Sequence, residues 1–448
     1  MNNSIAILER WNSDALFATG EVENKLISDL LHDIESLRAH LATCLLDHTI
    51  MVICQDRYFQ TVGMMAAWQL GQTVSLPATI HTPSLDKIAH SGTTLVVHDS
   101  ESRAGIHIAS ALAKNTKTSA TLNPIHSNHT LVNLYTSGST GTPQMHSKNA
   151  SQLFNEADSH VRFFSLPAGQ GLISTVPSHH VYGLLFSILL PIRAGMPMER
   201  STPLHATTLA SRVRATSPHT LISSPIHLKN ASDILVSEEL HSVQRVFSSG
   251  AALDNAVAHQ FSNSFGIPIT ELLGSTETGG IAWRLRANGE PTLPPWQTLE
   301  GVTVSADETG DMLLTSPFLP SSEPMPKHCP DRITLLNSRE FHHLGRSDDI
   351  VKIGSKRFSI TGIEHSIRDM PGVEDAALLA VAAPGSRGYA LWAAIVAPNL
   401  SISDLKKALM DRIEPIAFPR RIKIVKALPR QTNGKLPRLS LKQLFEHE

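Results

Sequence analysis

Apolar residues recur at helical spacing over Ser28–Leu46, where Leu30, Leu31, Ile34, Leu37, Leu41 and Leu45 share one face. A short apolar run, Thr49–Cys54, predicts a buried strand directly afterwards. Tyr58–Leu70 then returns to the helical period and stops at Gly71. Val74–Leu76 and Thr94–His98 predict two further short strands. Strands alternating with helices in this way imply a parallel sheet with helical crossovers, covered on both faces.

The alternation continues along the chain. Leu131–Tyr135 predicts a strand, Ala150–Phe164 a helix and Gly171–Val176 a strand. Helices are expected at 181–193, 206–214 and 232–241, and strands at 220–223 and 244–248. From about Gly289 to Phe341 short β-type runs are broken by Pro and Gly, which predicts a small antiparallel sheet or barrel appended to the core. Past Asp348 come a strand (Ile350–Ile353), a helix (Thr361–Met370) and two strands (Ala376–Ala382, Ala390–Val396). A helix (Ser403–Ile413) and a strand (Ile422–Val425) follow them. The expected architecture is α/β: a large N-terminal domain, 1–347, of α/β sheets with a small β-barrel-like subdomain, then a small mobile α+β C-terminal domain, 348–448. No internal repeat or low-complexity tract interrupts it.

Composition narrows the class. Among 448 residues, 41% are hydrophobic and 17% charged, which suits a globular protein and excludes a disordered one. Lys+Arg is 38 and Asp+Glu is 40, a net charge of -2, so bulk charge gives no reason to expect a nucleic-acid or anionic-membrane partner. Cys44, Cys54 and Cys329 are widely spaced and odd in number, which disfavours a disulfide framework or thiolate zinc site and fits a reducing compartment. The N-terminus lacks a basic start and long apolar core, so no secretory signal is expected. Val181–Ile192 is too short to span a bilayer. These features predict a cytoplasmic protein with no membrane span.

Candidate chemistry begins at Tyr135–Pro143, YTSGSTGTP, directly after a predicted strand. Two glycines permit tight turns, and the hydroxyls around them can wrap a polyphosphate with O–H and backbone N–H donors. No G-K-[ST] ends the loop, so it is not a Walker A sequence. Three other stretches stand out: LLGSTETGG at Leu272–Gly280, LGRSDDIVK at Leu344–Lys352 and LPRQTNGKL at Leu428–Leu436. Taken singly, each has an ordinary reading: Glu277 as a surface carboxylate, Asp348–Asp349 as a helix cap, Lys435 as a turn lysine.

Taken together, in this order, the four stretches resemble the adenylate-forming superfamily of acyl-CoA synthetases, aryl-CoA ligases and peptide-synthetase adenylation domains. The resemblance implies that Thr136, Ser137, Gly138, Ser139, Thr140 and Gly141 hold the β- and γ-phosphates of ATP. It implies that Gly250, Ala251 and Ala252, after Ser249, line the adenine, with Gly274 and Ser275 beside the nucleotide. Thr276 contacts the α-phosphate and Glu277 holds Mg²⁺ in this reading, while Asp331 binds the ribose hydroxyls beside Arg346. Asp348 corresponds to the hinge and Lys435 to the catalytic lysine of the C-terminal domain. His180, in PSHHVYG, matches a histidine beside the acyl pocket.

The implied reaction joins a carboxylic acid to AMP with loss of pyrophosphate, then passes the acyl group to a phosphopantetheine thiol. That thiol belongs to CoA or to an acyl carrier protein, expected on a separate chain because no carrier attachment segment follows Lys435. VPSHHVYGLLF contains no carboxylate to meet a substrate amine, which favours an aryl or fatty acyl acid over an α-amino acid. TETGGIAWR and SHHVYGLLF are similar to compact ligases of bacterial aryl polyene clusters. Some positions depart from the family pattern. Gln144 replaces the lysine after the loop's Pro, unless Lys148 reaches in; Leu273 replaces an aromatic; Gly362 replaces a Glu; and the N-terminal part is shorter. Two alternatives stay open on these residues: a degenerate nucleotide- or acyl-binding relative without turnover, and an amino-acid adenylating module.

Overall fold

The computed structural model describes residues 4–44, 49–77, 94–112, 121–136, 144–287, 293–346, 350–353, 356–383, 388–410, 412–431, 434 and 436–446. Near the N-terminus a six-stranded sheet runs in the order 144–149, 130–136, 74–76, 49–53, 94–98, 106–107. Its neighbours are parallel except for the hairpin formed by Thr130–Thr136 and Gln144–Asn149. Helices Ile27–Cys44 and Arg57–Gln69 bury Leu30, Ile34, Leu37, Val62 and Met65. The second helix starts where it does because the Asp56 carboxylate accepts from the Tyr58 and Phe59 N–H groups.

A second sheet has thirteen strands. In its parallel part, 16–19, 198–199, 172–174, 220–223, 245–248 and 269–275 are neighbours in that order. Helices between 181 and 265 make the crossovers, and the short strands Leu172–Ser174, Thr220–Ser223 and Arg245–Ser248 are buried almost throughout around apolar centres. From Gly279–Arg286 onward the ladder turns antiparallel. The expected appended sheet is hydrogen-bonded directly onto it through Trp296–Thr298, Glu340–Arg346, Lys327–Leu335, Asp311–Thr315 and Thr303–Ala306.

Arg57 ties the two sheets together. It is fully buried, and its guanidinium donates to Ser187 Oγ (3.0 Å), Glu199 O (2.5 Å), Ser201 O (2.9 Å) and Thr202 Oγ1 (3.1 Å). Burial lowers its pKa to about 10, against the opposing pull of Glu199, so it stays charged at neutral pH.

Beyond residue 350 lie a hairpin (Ile350–Ile353, Lys356–Ser359) and a three-stranded sheet (Asp375–Ala383, Gly388–Val396, Arg421–Ile424). Helices Ile360–Arg368, Ile402–Met410 and Arg438–Glu446 accompany them. This part has apolar clusters of its own, one around Ile367, Leu391 and Leu405 and another around Leu379 and Phe445. It touches the rest of the chain where His365 Nε2 lies 3.7 Å from Asp254 Oδ1.

Two local expectations differ from the structure. The helix expected at 232–241 instead occupies Pro225–Ile234, because Pro225 at its first turn needs no N–H partner; a short 3₁₀ turn, Ser237–Leu240, follows. The strand Gln144–Asn149 is polar and carries no β pattern. Its ladder partner, not its own sequence, sets it. Val181–Ile192 lies in a buried helical stretch, 181–194, widened at Leu185–Leu189 where Pro191 has no N–H to give. No helix among the described residues is long and apolar enough to cross a membrane.

Candidate active site

The parallel strands of the second sheet all point their carboxyl ends to one edge, where ligands bind in open α/β sheets. Three of the stretches singled out in the sequence emerge there, two from adjacent strands and the third from the strand beyond Thr220–Ser223. Pro177–Gly183 follows Leu172–Ser174, Ser249–Ala252 follows Arg245–Ser248, and Gly274–Glu277 ends Ile269–Ser275. Gly250, Ala251 and Ala252 are exposed, and Gly250 has φ 90°, a turn that other residues rarely adopt. Ser249 Oγ donates to Leu272 O at 3.0 Å, tying this turn to the next strand.

At Ser275–Gly279 the chain reverses. Ser275 and Thr278 lock the turn through their hydroxyls (3.0 Å), with Thr278 N donating to Ser275 Oγ at 3.1 Å. Thr276 is buried, whereas the Glu277 side chain is 43% exposed with Oε1 3.4 Å from His146 Nε2. The Glu277 carbonyl accepts from Lys148 Nζ at 3.2 Å. Lys148 is only 4% exposed; burial lowers its pKa, and the carboxylates of Glu156 and Glu277 oppose that effect. Its amino group thus lies at the turn, anchored to the backbone of Glu277.

Sequence reasoning missed Glu156. This buried side chain on the helix Ala150–Phe163 accepts from Gly280 N at 2.6 Å, and a Cβ on Gly279 would fall 2.7 Å from its Oε2. His160, one turn on, lies 3.7 Å from the same carboxylate. The signal was present: 156 and 160 flank the apolar stripe of Leu153, Ala157 and Val161, so a carboxylate there faces inward.

Asp331 and Arg346 sit opposite each other in the antiparallel part, and Asp331 Oδ1 lies 2.9 Å from His343 Nε2. Cys329 lies two residues before Asp331 on the same strand. Burial pushes its thiol up to about 11, and Asp331, Lys327, Arg346 and Glu277 all act on it electrostatically.

His180 immediately precedes the helix at 181–184, with its ring 4.4 Å from that of His179, whose pKa burial lowers to about 4. Gly183 explains the motif's last position, because a Cβ there would fall 2.0 Å from the Pro177 carbonyl oxygen. Behind it Tyr182, Phe186 and Phe247 pack ring against ring at 5.1 and 5.4 Å.

The side chain of Thr136 and residues Ser137, Gly138, Ser139, Thr140 and Gly141 lie outside the described residues, as do Asp348 and Lys435. Their flanks are described. The strands on either side of 137–143 form the hairpin that carries Lys148, and a Cβ on Gly434 would lie 3.7 Å from Ile226 Cγ2, on the helix after Ser223. Leu273 is half-buried, and a cleft of about 440 Å³ lined by Gln170, Pro218 and His219 lies at the opposite edge of the strands, away from these residues.

Known proteins carry the same organisation. The AMP-binding enzyme model matches residues 40–308, and the AMP-binding enzyme C-terminal domain model matches 362–435. A 4-coumarate–CoA ligase of Rhodobacter capsulatus is 31% identical over 306 residues, 67% of this chain and 73% of its own. A p-hydroxybenzoic acid–AMP ligase of Mycobacterium tuberculosis is 27% identical over 343 residues, 69% of this chain and 48% of its own. Among solved structures, ATP-bound MatB from Rhodopseudomonas palustris superposes with a TM-score of 0.81 at 18% identity, covering 98% of this chain and 97% of that one. The AMP complex of the O-succinylbenzoate coenzyme A synthetase of Bacillus subtilis gives 0.82 at 16% identity, covering 96% and 95%. With its fold, the order of its motifs and both family models in agreement, the chain belongs to the AMP-binding enzyme family, the adenylate-forming ligases.

Proposed function

We propose that this protein is an acid–thiol ligase that activates an aromatic carboxylic acid as its acyl-AMP and passes the acyl group to the thiol of CoA or of a carrier protein. The observation that carries this reading is that Pro177–Gly183, Ser249–Ala252 and Gly274–Glu277 leave the same edge of the parallel strands, with the hairpin that flanks 137–143 held against the last of them. In the first half-reaction a carboxylate oxygen bonds to the α-phosphorus of ATP, and the bond to pyrophosphate breaks. Two anions must meet for this to happen, so donors and cations have to be in place beforehand.

Thr276, fixed by the turn, suits the α-phosphate. Lys435, brought by the C-terminal domain, suits the attacking and bridging oxygens. Glu277 is a partly exposed carboxylate with His146 beside it, which would leave an oxygen to hold Mg²⁺, a cation that takes few protein oxygens and would supply positive charge to the phosphates. Asp331 suits the ribose hydroxyls and Gly250–Ala252 the adenine. Asp348 then serves as the joint between units 1–347 and 348–448. In the second half-reaction the thiol sulfur bonds to the acyl carbon, AMP leaves with the electron pair, and the thiol proton passes to solvent.

The aromatic preference draws on two things. The 4-coumarate and p-hydroxybenzoic acid ligases are relatives, and the His180 side of the site is backed by rings and has no carboxylate between Pro177 and Ser187. A library of carboxylic acids, assayed for pyrophosphate release with ATP and Mg²⁺, tests the reading. Release with benzoates or cinnamates, followed by thioester on adding CoA or a phosphopantetheinylated carrier, is expected. No release with any acid would favour a binding relative without turnover, and strong release with amino acids would favour an amino-acid module.

A further inference from the structure

The strand–helix unit 144–163 grips the Thr276–Glu277 turn at both ends. From its strand, Lys148 donates to the Glu277 carbonyl at 3.2 Å; from its helix, Glu156 accepts from Gly280 N at 2.6 Å. Lys148 is 4% exposed and Glu156 5%, so neither bond is loosened by competing water. Gly279 and Gly280 let the carboxylate come this close, since a Cβ on either would meet it at 2.7 or 3.1 Å. Gln144, where the family usually has a lysine, leaves the start of this strand without a charge. The buried cation lies four residues further along the same strand.

We propose that Lys148 and Glu156 are positioning residues, a two-point latch that fixes the Thr276–Glu277 turn against the hairpin flanking 137–143 and so sets the affinity for the magnesium-bound triphosphate. The latch rests on the ligase reading above and adds residues to it. A lysine held by a backbone carbonyl acts through the turn and does not touch the substrate. Loss of the latch lets Glu277 drift from the hairpin while the adenine and ribose contacts stay. The triphosphate, whose magnesium ion Glu277 would hold, then suffers most, while the monophosphate meets the turn only through Thr276.

Equilibrium binding of MgATP and of AMP, measured by calorimetry with no acid present, tests this without turnover. Lys148→Met is expected to weaken MgATP by at least about tenfold and AMP by several-fold less, the cost of a lost buried bond plus misplacement. Lys148→Arg, which keeps a charged donor, is expected to recover most of the affinity. Glu156→Leu leaves Lys148 in place but frees Gly280 N, and the same selective loss is expected. Glu156→Gln, whose amide oxygen still accepts that bond, should stay near wild type. Thioester formation from supplied acyl-AMP should persist in all four variants.

Equal weakening of both nucleotides with a lower thermal midpoint would overturn the latch in favour of a packing role, as would unchanged MgATP affinity in Lys148→Met or Glu156→Leu. If Lys148→Met fails to fold, the Glu156 pair decides. A wild type that binds MgATP but releases no pyrophosphate with any acid would sink the ligase reading and leave the latch standing.

Discussion

At the level of single residues, Lys435 and His227 give the clearest outcomes. Lys435→Ala should cut acid-dependent pyrophosphate release by at least about a hundredfold, the scale of removing one charge-stabilising donor, yet spare thioester formation from supplied acyl-AMP. Assaying the two half-reactions separately checks it, and equal loss of both would refute the division of labour. His227 is 9% exposed, with Nδ1 3.0 Å from Thr175 Oγ1 and 3.3 Å from Ser224 Oγ. Burial, with a smaller push from His205, lowers its pKa from 6.5 to about 4. Folding thus favours the neutral ring, and the unfolded chain takes up the proton first as pH falls. Stability is therefore intact above pH 6.5 and declines down to about pH 4, by about 3 kcal/mol at most from this group. Urea denaturation at stepped pH should show that slope, and His227→Gln should flatten it.

At the level of elements, the PSHHVYG segment and the Arg57 helix carry the tests. Gly183→Ala places a methyl group in the Pro177 carbonyl, so the helix start bearing His180 must move. A loss of about 1–3 kcal/mol is expected by urea denaturation, with a raised KM for the acid. Arg57→Met leaves several buried acceptors unpaired at once and should cost at least about 3 kcal/mol, again by urea denaturation.

These elements also show what a lone sequence reveals. Arg57–Gln69, Val74–Leu76 and Thr94–His98 were legible because local periodicity and burial agree. Gln144–Asn149 was not: five of its six side chains are exposed or half-buried, and its register is imposed by Thr130–Thr136. The candidate site was legible as a set of motifs in order. The burial of Lys148 was not, since its hydrogen-bond partner lies 129 residues away. A cation's environment is a tertiary property, and no local pattern encodes it.

At the level of the whole molecule, the proposed joint at Asp348 makes the two half-reactions separable. Asp348→Pro fixes a backbone angle between 1–347 and 349–448, and it should leave acid-dependent pyrophosphate release largely intact while slowing thioester formation by at least about tenfold. Rapid-quench measurement of each step checks it. Unimpaired thioester formation would count against a joint there. The described contacts already place the C-terminal part on the large one, with His365 against Asp254 and Gly434 beside Ile226.

The thirteen-stranded ladder runs from Lys25–Leu26 at one edge to Thr303–Ala306 at the other and includes the strands that hold Asp331 and Arg346. Mechanically, this makes the floor beneath the proposed nucleotide site one hydrogen-bonded plate, and flexing it would strain its interstrand bonds. The sheets after residue 350 share none of those bonds, so a rotation there is free of that toll. If the proposed joint at Asp348 is the place that bends, a machine built this way can change its tool without disturbing the workpiece.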